Sequence, residues 1–374
     1  MDEYANIMAE APEVPDPEPV VNEVDPEPDP DPEPEPGDPS EVEQAKNDQT
    51  VFDTKTPIQD EKGNTIVVPE GFKLANDSGD TVQQGIVIED AFSEDANVRG
   101  SQYVWIPVGK FIKDDGTESN EIVLGRYTFN RSNGTPTLQQ AAYTEESPTN
   151  YKQSVVIDSY FSELSTYQVG TASSGRDGLN ATAYDLEAWV NSVKANGGYY
   201  IGRYEASYAS GSSTSDYKAA SKVSEHFANS MNYVPGTLWN WISQLDASKV
   251  AINTYKNSSN GVRSDLMNSY AWDTAIVYIQ EAGNTNYANK TSVNSSLANT
   301  GKNKDEVCKI NDMASNCIEW TTEYSSLAVG NVAYPCVGRG GHCLNSHNYT
   351  ASRGNFFATD SGSYISFRLS LYLV

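Results

Sequence analysis

The chain has 374 residues, Lys+Arg 25 against Asp+Glu 51, and three His. Residues 1–45 hold 16 of the acids and no base, so 51 − 16 = 35 acids face 25 bases in the remainder. That balance leaves no basic stripe to neutralise phosphates and excludes nucleic acid as an expected partner. No apolar run is long enough to predict a signal or transmembrane segment in this chain, so no direct membrane insertion is expected.

Residues 1–45 also carry 11 of the 18 prolines. Proline fixes φ and removes donors, and like charges repel. A disordered, extended acidic Pro-rich stalk is therefore expected. Residues 46–100 read as linker and a small β element. The turn signal Gly63-Asn64 precedes the strand Thr65–Pro69, and Gly85–Asp90 is a further strand. Tyr103–Val108 reads as the first strand of the main domain, 101–374. A helix is expected over Tyr184–Lys194, where Leu186, Trp189, Val190 and Val193 fall on one face and Gly197 stops it. Gly198–Glu205 reads as a buried strand. A second helix is expected over Trp272–Gln280, with Trp272, Ala275, Ile276 and Ile279 aligned. Long Gly/Asn/Ser-rich stretches between these read as loops, and no repeat is evident.

Four cysteines, Cys308, Cys317, Cys336 and Cys343, permit three pairings that sequence does not distinguish. They lack the spacing of a zinc site.

Read together, five blocks resemble the sulfatase-modifying-factor (formylglycine-generating-enzyme) family. They are Tyr103–Phe111, the Tyr-Ile-Gly-Arg-Tyr-Glu run ending at Glu205, Ala271–Ala275, Asp312–Trp320, and Arg339-Gly340-Gly341 with Phe367-Arg368. The resemblance implies an α+β, loop-rich C-type-lectin-like fold. It also implies where oxidase members of that family would place two copper(I)-binding thiols, at Asn345 and Thr350. Neither residue supplies a thiolate, and Cys343 stands two positions early, so no copper and no enzymatic activity are expected. In calcium-binding relatives the Asp-to-Glu block supplies a structural ion cage. Carried over, its ligands are Asp312, the carbonyls of Ser315 and Cys317, and Glu319. The alternative is that Glu319 only braces a tight turn.

The segment His342–Tyr364 contains no Lys, Glu, Gln, Met or Trp. Those types make up 65 of 374 residues, so about four are expected among 23. Mutagenesis of adenines in AAC or AAT codons cannot yield any of the five. The segment thus resembles the variable region (339–374 here) of proteins diversified by retroelements. On that reading His342, Cys343, Leu344, Asn345, His347, Asn348, Tyr349, Asn355, Phe356, Phe357, Ser363 and Tyr364 form a ligand-contact set. Arg339, Arg353 and Arg368 belong to its scaffold. The expected partner is a protein or glycan on another cell or host surface, and the expected location is extracellular, on a cell surface or virion. A fixed-specificity adhesin or carbohydrate-binding module, and a sulfatase-modifying oxidase, are the competing readings.

Overall fold

Six strands form a central antiparallel sheet in the order Val262–Leu266, Leu369–Leu373, Gly198–Gly202, Gln102–Pro107, Val87–Asp90, Phe72–Leu74. The computed structural model describes residues 38–143, 167–168, 186–213, 215–325, 328–329, 332–333, 336–345, 347–357 and 359–374. Gly198–Gly202 and Leu369–Leu373 are buried at every position, so both faces of the sheet's middle are covered. That coverage explains why Tyr199-Tyr200-Ile201 reads as a continuous apolar run rather than an alternating one. Gly198 is required by close approach: a Cβ there would stand 2.3 Å from the Trp105 ring.

Four α-helices occur among the described residues: α1 Glu41–Asn47, α2 Leu186–Asn196, α3 Gln244–Tyr255 and α4 Ser269–Glu281. In α2, Leu186, Trp189, Val190 and Val193 turn inward. The Trp189 indole donates to Ser370 Oγ at 3.1 Å and meets the Tyr199 ring edge-on at 5.1 Å. Gly197 ends α2 at φ +71°, where its N–H reaches the Val193 carbonyl. Asn268 caps α4 by accepting from Ala271 N at 2.9 Å, and the Tyr199 hydroxyl donates to the Ala271 carbonyl at 2.7 Å.

Two boundaries differ from the sequence reading. Residues 41–45, assigned to the disordered stalk, begin α1. Ser40 caps that helix by accepting from Glu43 N, and Val42 and Ala45 are buried. The stalk's first 37 residues lie outside the described ones. The stretch 46–100, read as linker and a small β element, supplies two strands of the central sheet, and Phe72, Leu74, Val87 and Ile88 join the common core. Edge strands of one sheet and a separate accessory element carry the same alternation signal, so pairing rather than pattern decides between them. Helix α3 falls in a region read as loop. Its buried residues are Gln244, Ala247, Ser248, Val250, Ala251, Thr254 and Tyr255; Val250 and Tyr255 are the large apolar ones, and the polar and small residues between them blur the helical periodicity.

The second large sheet runs Arg353–Phe356, Cys336–Arg339, Ile318–Ser325, Ile365–Phe367. The last pair is parallel, and Tyr167–Gln168 joins beyond it along Ile318–Ser325. The chain passes directly from this sheet to the central one at Arg368, between Phe367 and Leu369. The fold is thus α+β with mainly antiparallel sheets. No described helix is long and apolar enough to cross a membrane.

Candidate functional site

The C-terminal segment rests on a dry ionic frame. Asp273 of α4 and Glu323 lie with Arg126, Arg339 and Arg353, and all five side chains have zero exposure. Asp273 accepts from Arg339 Nη2 at 2.6 Å, Arg353 Nη2 at 2.7 Å and Tyr127 N at 2.9 Å. Glu323 accepts from Arg126 Nη2 at 2.6 Å, Arg353 Nε at 2.9 Å and Arg339 Nη1 at 3.0 Å. Burial would raise the Glu323 carboxyl, but Arg353, Arg339 and Arg126 outweigh it and hold it down at about 2. Arg339 also lies over the Trp272 ring at 5.5 Å. The strands carrying Arg339 and Arg353 are thereby bound to α4 and to the strand of Glu323.

A second frame surrounds Arg368. Its guanidinium holds Glu319 bidentately (2.6 and 3.0 Å) and donates to the carbonyls of Gly202 at 2.8 Å and Asn311 at 2.7 Å. The buried Glu205, which ends the Tyr-Ile-Gly-Arg-Tyr-Glu run, accepts from Asn316 Nδ2 at 2.6 Å and Cys317 N at 2.9 Å. Burial pushes its carboxyl up, with Asp312 and Glu319 adding to the effect.

This second frame bears on the expected calcium ligands Asp312, Ser315, Cys317 and Glu319. Asp312, at φ +67°, already accepts from Thr300 Oγ1 and Asn303 Nδ2 at 2.9 Å and from Gly301 N at 2.8 Å. Both Glu319 oxygens face Arg368, so a divalent cation there would meet a guanidinium. In this structure the Asp312 and Glu319 carboxylates are taken up in bracing the 312–319 turn, and among the described residues no group of three or more His, Cys, Asp or Glu could hold a metal ion.

The twelve expected contact residues divide. Leu344, His347 and Phe357 are exposed, while Asn345, Asn348, Tyr349, Asn355, Ser363 and Tyr364 are partly so. The Asn345 side chain organises its own turn, accepting from His347 N at 2.9 Å and donating to Asn348 Oδ1 at 3.3 Å. Tyr349 lies under the Arg131 guanidinium at 5.6 Å.

His342 and Cys343 are buried in the framework, and Phe356, itself partly exposed, turns its ring against it. His342 is buried, stacks on the Tyr364 ring at 4.8 Å, and accepts Leu344 N on Nδ1. Burial holds its pKa below the ordinary histidine range. Cys343 is buried beside the 313–317 turn. The Phe356 ring meets Trp320 edge-on at 5.2 Å and fills a slot that only glycines leave open. A Cβ at Gly338 or Gly354 would stand 3.0 or 2.8 Å from it. Phe356 and Phe357 are neighbours at a strand end, where successive side chains take opposite faces.

Sequence reasoning missed one contributor. The stretch 226–234 exposes Phe227, Met231 and Val234. It lies beside the segment because the Asn240 amide donates to both the Ala228 carbonyl (3.0 Å) and the Ser363 carbonyl (2.8 Å). Isolated apolar residues in a Gly/Asn/Ser-rich loop carry no periodic signal, so only the fold reveals them. No protein-family model matches the chain, and no curated protein or solved structure matches it.

Proposed function

We propose that the chain is a ligand-binding protein whose C-terminal segment is its recognition surface, carried on a C-type-lectin-like domain of the formylglycine-generating-enzyme type. One observation carries the reading. Between residues 342 and 364 the only Lys or Arg is Arg353, which is buried in an ion network, and apart from Asp360, which accepts from Phe357 N, the exposed and partly exposed positions are neutral polar, aromatic and aliphatic. A scaffold built this way tolerates exchange of its outward side chains, since surface substitutions usually cost within about 0.5 kcal/mol. Tyr, Phe, His, Asn and Ser give contact area and adaptable hydrogen bonds at low entropic cost.

The surface consists of Leu344, Asn345, His347, Asn348, Tyr349, Asn355, Phe357, Ser363 and Tyr364, with Phe227 and Met231 at its margin. The partner is a protein or glycan on another cell or host, and the site of action is extracellular, on a cell surface or virion. The side chains that would serve an oxidase, at 345 and 350, are Asn and Thr, so this segment is read as a contact face without chemistry of its own.

Sequencing the encoding DNA across a population tests the proposal. Substitutions concentrated at the codons of the exposed positions, with Arg339, Arg353 and Arg368 constant, are expected. A near-duplicate template repeat and a reverse transcriptase should lie close by. A segment that is invariant across the population, with no template repeat, overturns the diversified reading and leaves a fixed-specificity adhesin.

A further inference from the structure

Two of the four cysteines, distant in sequence, are brought together by backbone pairing. Residues 340–343 run along 313–316 too closely for side chains at the first two positions. A Cβ on Gly340 would stand 2.5 Å from the Met313 carbonyl oxygen, and one on Gly341 would stand 2.1 Å from that of Ala314. At the end of this contact the Cys343 N–H donates to the Asn316 carbonyl at 3.1 Å. Standard peptide dimensions then separate the Cα atoms of Cys343 and Cys317 by roughly 5–6 Å, inside the span a disulfide bridges.

The thiols also share surroundings. Burial, followed by the Glu205 carboxylate, raises both, Cys343 to about 11, and the neighbouring Cys343 raises Cys317 further. Cys343 is 6% exposed beside the open Leu344, whereas Cys317 is fully enclosed. An oxidant therefore meets Cys343 first.

We infer that Cys317 and Cys343 are a disulfide-forming pair that fastens the root of the 342–349 turn to the 312–317 turn. Both are free thiols in this structure. Oxidation requires an acceptor of two electrons, and a small disulfide supplies it. The Cys343 thiolate attacks that disulfide and releases one thiol. The Cys317 thiolate then attacks Cys343 Sγ and releases the second. One sulfur–sulfur bond is formed in the protein and one is lost in the oxidant, and the two cysteine protons leave on the two small thiols. Oxidising surroundings favour the bridged form, and closing it removes freedom from the turn that carries Leu344, Asn345 and His347. The inference rests on backbone geometry and holds whatever the segment binds.

The test uses the full chain, reduced and then exposed to excess oxidised glutathione at about pH 8, quenched with an alkylating agent and mapped by mass spectrometry without reduction. The expected product is a peptide pair joined through Cys317 and Cys343, two hydrogens lighter than its parts, with Cys308 and Cys336 alkylated. Its rate of formation should rise up to about tenfold per pH unit between roughly pH 7 and 9, because both thiols start protonated. The bridged protein should melt about 3–5 °C above the reduced one. Cys317→Ser should leave Cys343 as a mixed disulfide with glutathione and no cross-link. Recovery of Cys317 and Cys343 both alkylated after prolonged oxidation, or of Cys343 linked to Cys308 or Cys336, overturns the inference.

Discussion

Replacing Glu323 with glutamine keeps the side chain's shape and removes one of the two anions beneath the C-terminal segment. Arg126, Arg339 and Arg353 are then left with Asp273 alone, three cations against one anion with every side chain at zero exposure. Breaking a buried ion pair from one side costs about 3–5 kcal/mol. The compact unit Pro39–Val374 has 374 − 38 = 336 residues. At about 2.1 cal/mol/K per residue its unfolding entropy is ~0.7 kcal/mol/K, so Glu323→Gln should lower the melting temperature by roughly 4–7 °C. Acid gives an independent check. The Glu323 carboxyl is held at about 2 in the folded chain against an ordinary 4.5. Its contribution is complete above the unfolded value and is lost as pH falls through the folded one, an effect on the order of 3 kcal/mol. The melting-temperature gap between wild type and Glu323→Gln should therefore be constant near neutrality and narrow between about pH 4.5 and 2. Thermal melts followed by circular dichroism read both quantities. A neutral-pH difference under about 1 °C, or a gap that widens in acid, refutes the claim that this network holds the segment in place.

Further outcomes follow from the same geometry. Phe356→Ala should cost about 2–4 kcal/mol, because the ring loses Trp320 and its glycine-walled slot. Phe357→Ala should stay within about 0.5 kcal/mol and weaken target binding instead. Equal melting temperatures for the two variants would remove the distinction drawn between these rings. Calcium titrated into the protein should produce neither heat of binding nor a higher melting temperature, since Arg368 already occupies Glu319. A saturable calorimetric signal would restore the 312–319 turn as an ion site.

Elements whose buried faces are large and apolar were legible in the sequence. Helices α2 and α4 show Leu186, Trp189, Val190, Val193 and Trp272, Ala275, Ile276, Ile279 at helical spacing, and these are the residues that pack. Helix α3 hides because polar residues sit on its buried side: Gln244 donates to the Thr321 carbonyl across the core, and Thr254 donates to the Val250 carbonyl one turn back in the same helix. The ion network could be half read. Arg339, Arg353 and Arg368 are scaffold as expected, but their acidic partners come from α4 and from a strand remote in sequence. Alternation separates two residues of the expected contact set: Phe356 and Phe357 look identical until the register Cys336↔Phe356 is known. The pair Cys317–Cys343 belongs to one of three possible pairings in the sequence, and only the passage of 340–343 along 313–316 singles it out.

The position of Leu369–Leu373 affects how the molecule is made. This strand lies between Val262–Leu266 and Gly198–Gly202 and joins a lone strand to a four-stranded ribbon. During synthesis the lone strand and the ribbon edge wait open, offering unpaired amides to any passing extended chain. The sheet is complete only when Leu369–Leu373 has left the ribosome, and the segment 342–364 just ahead of that strand is fixed in the same late step.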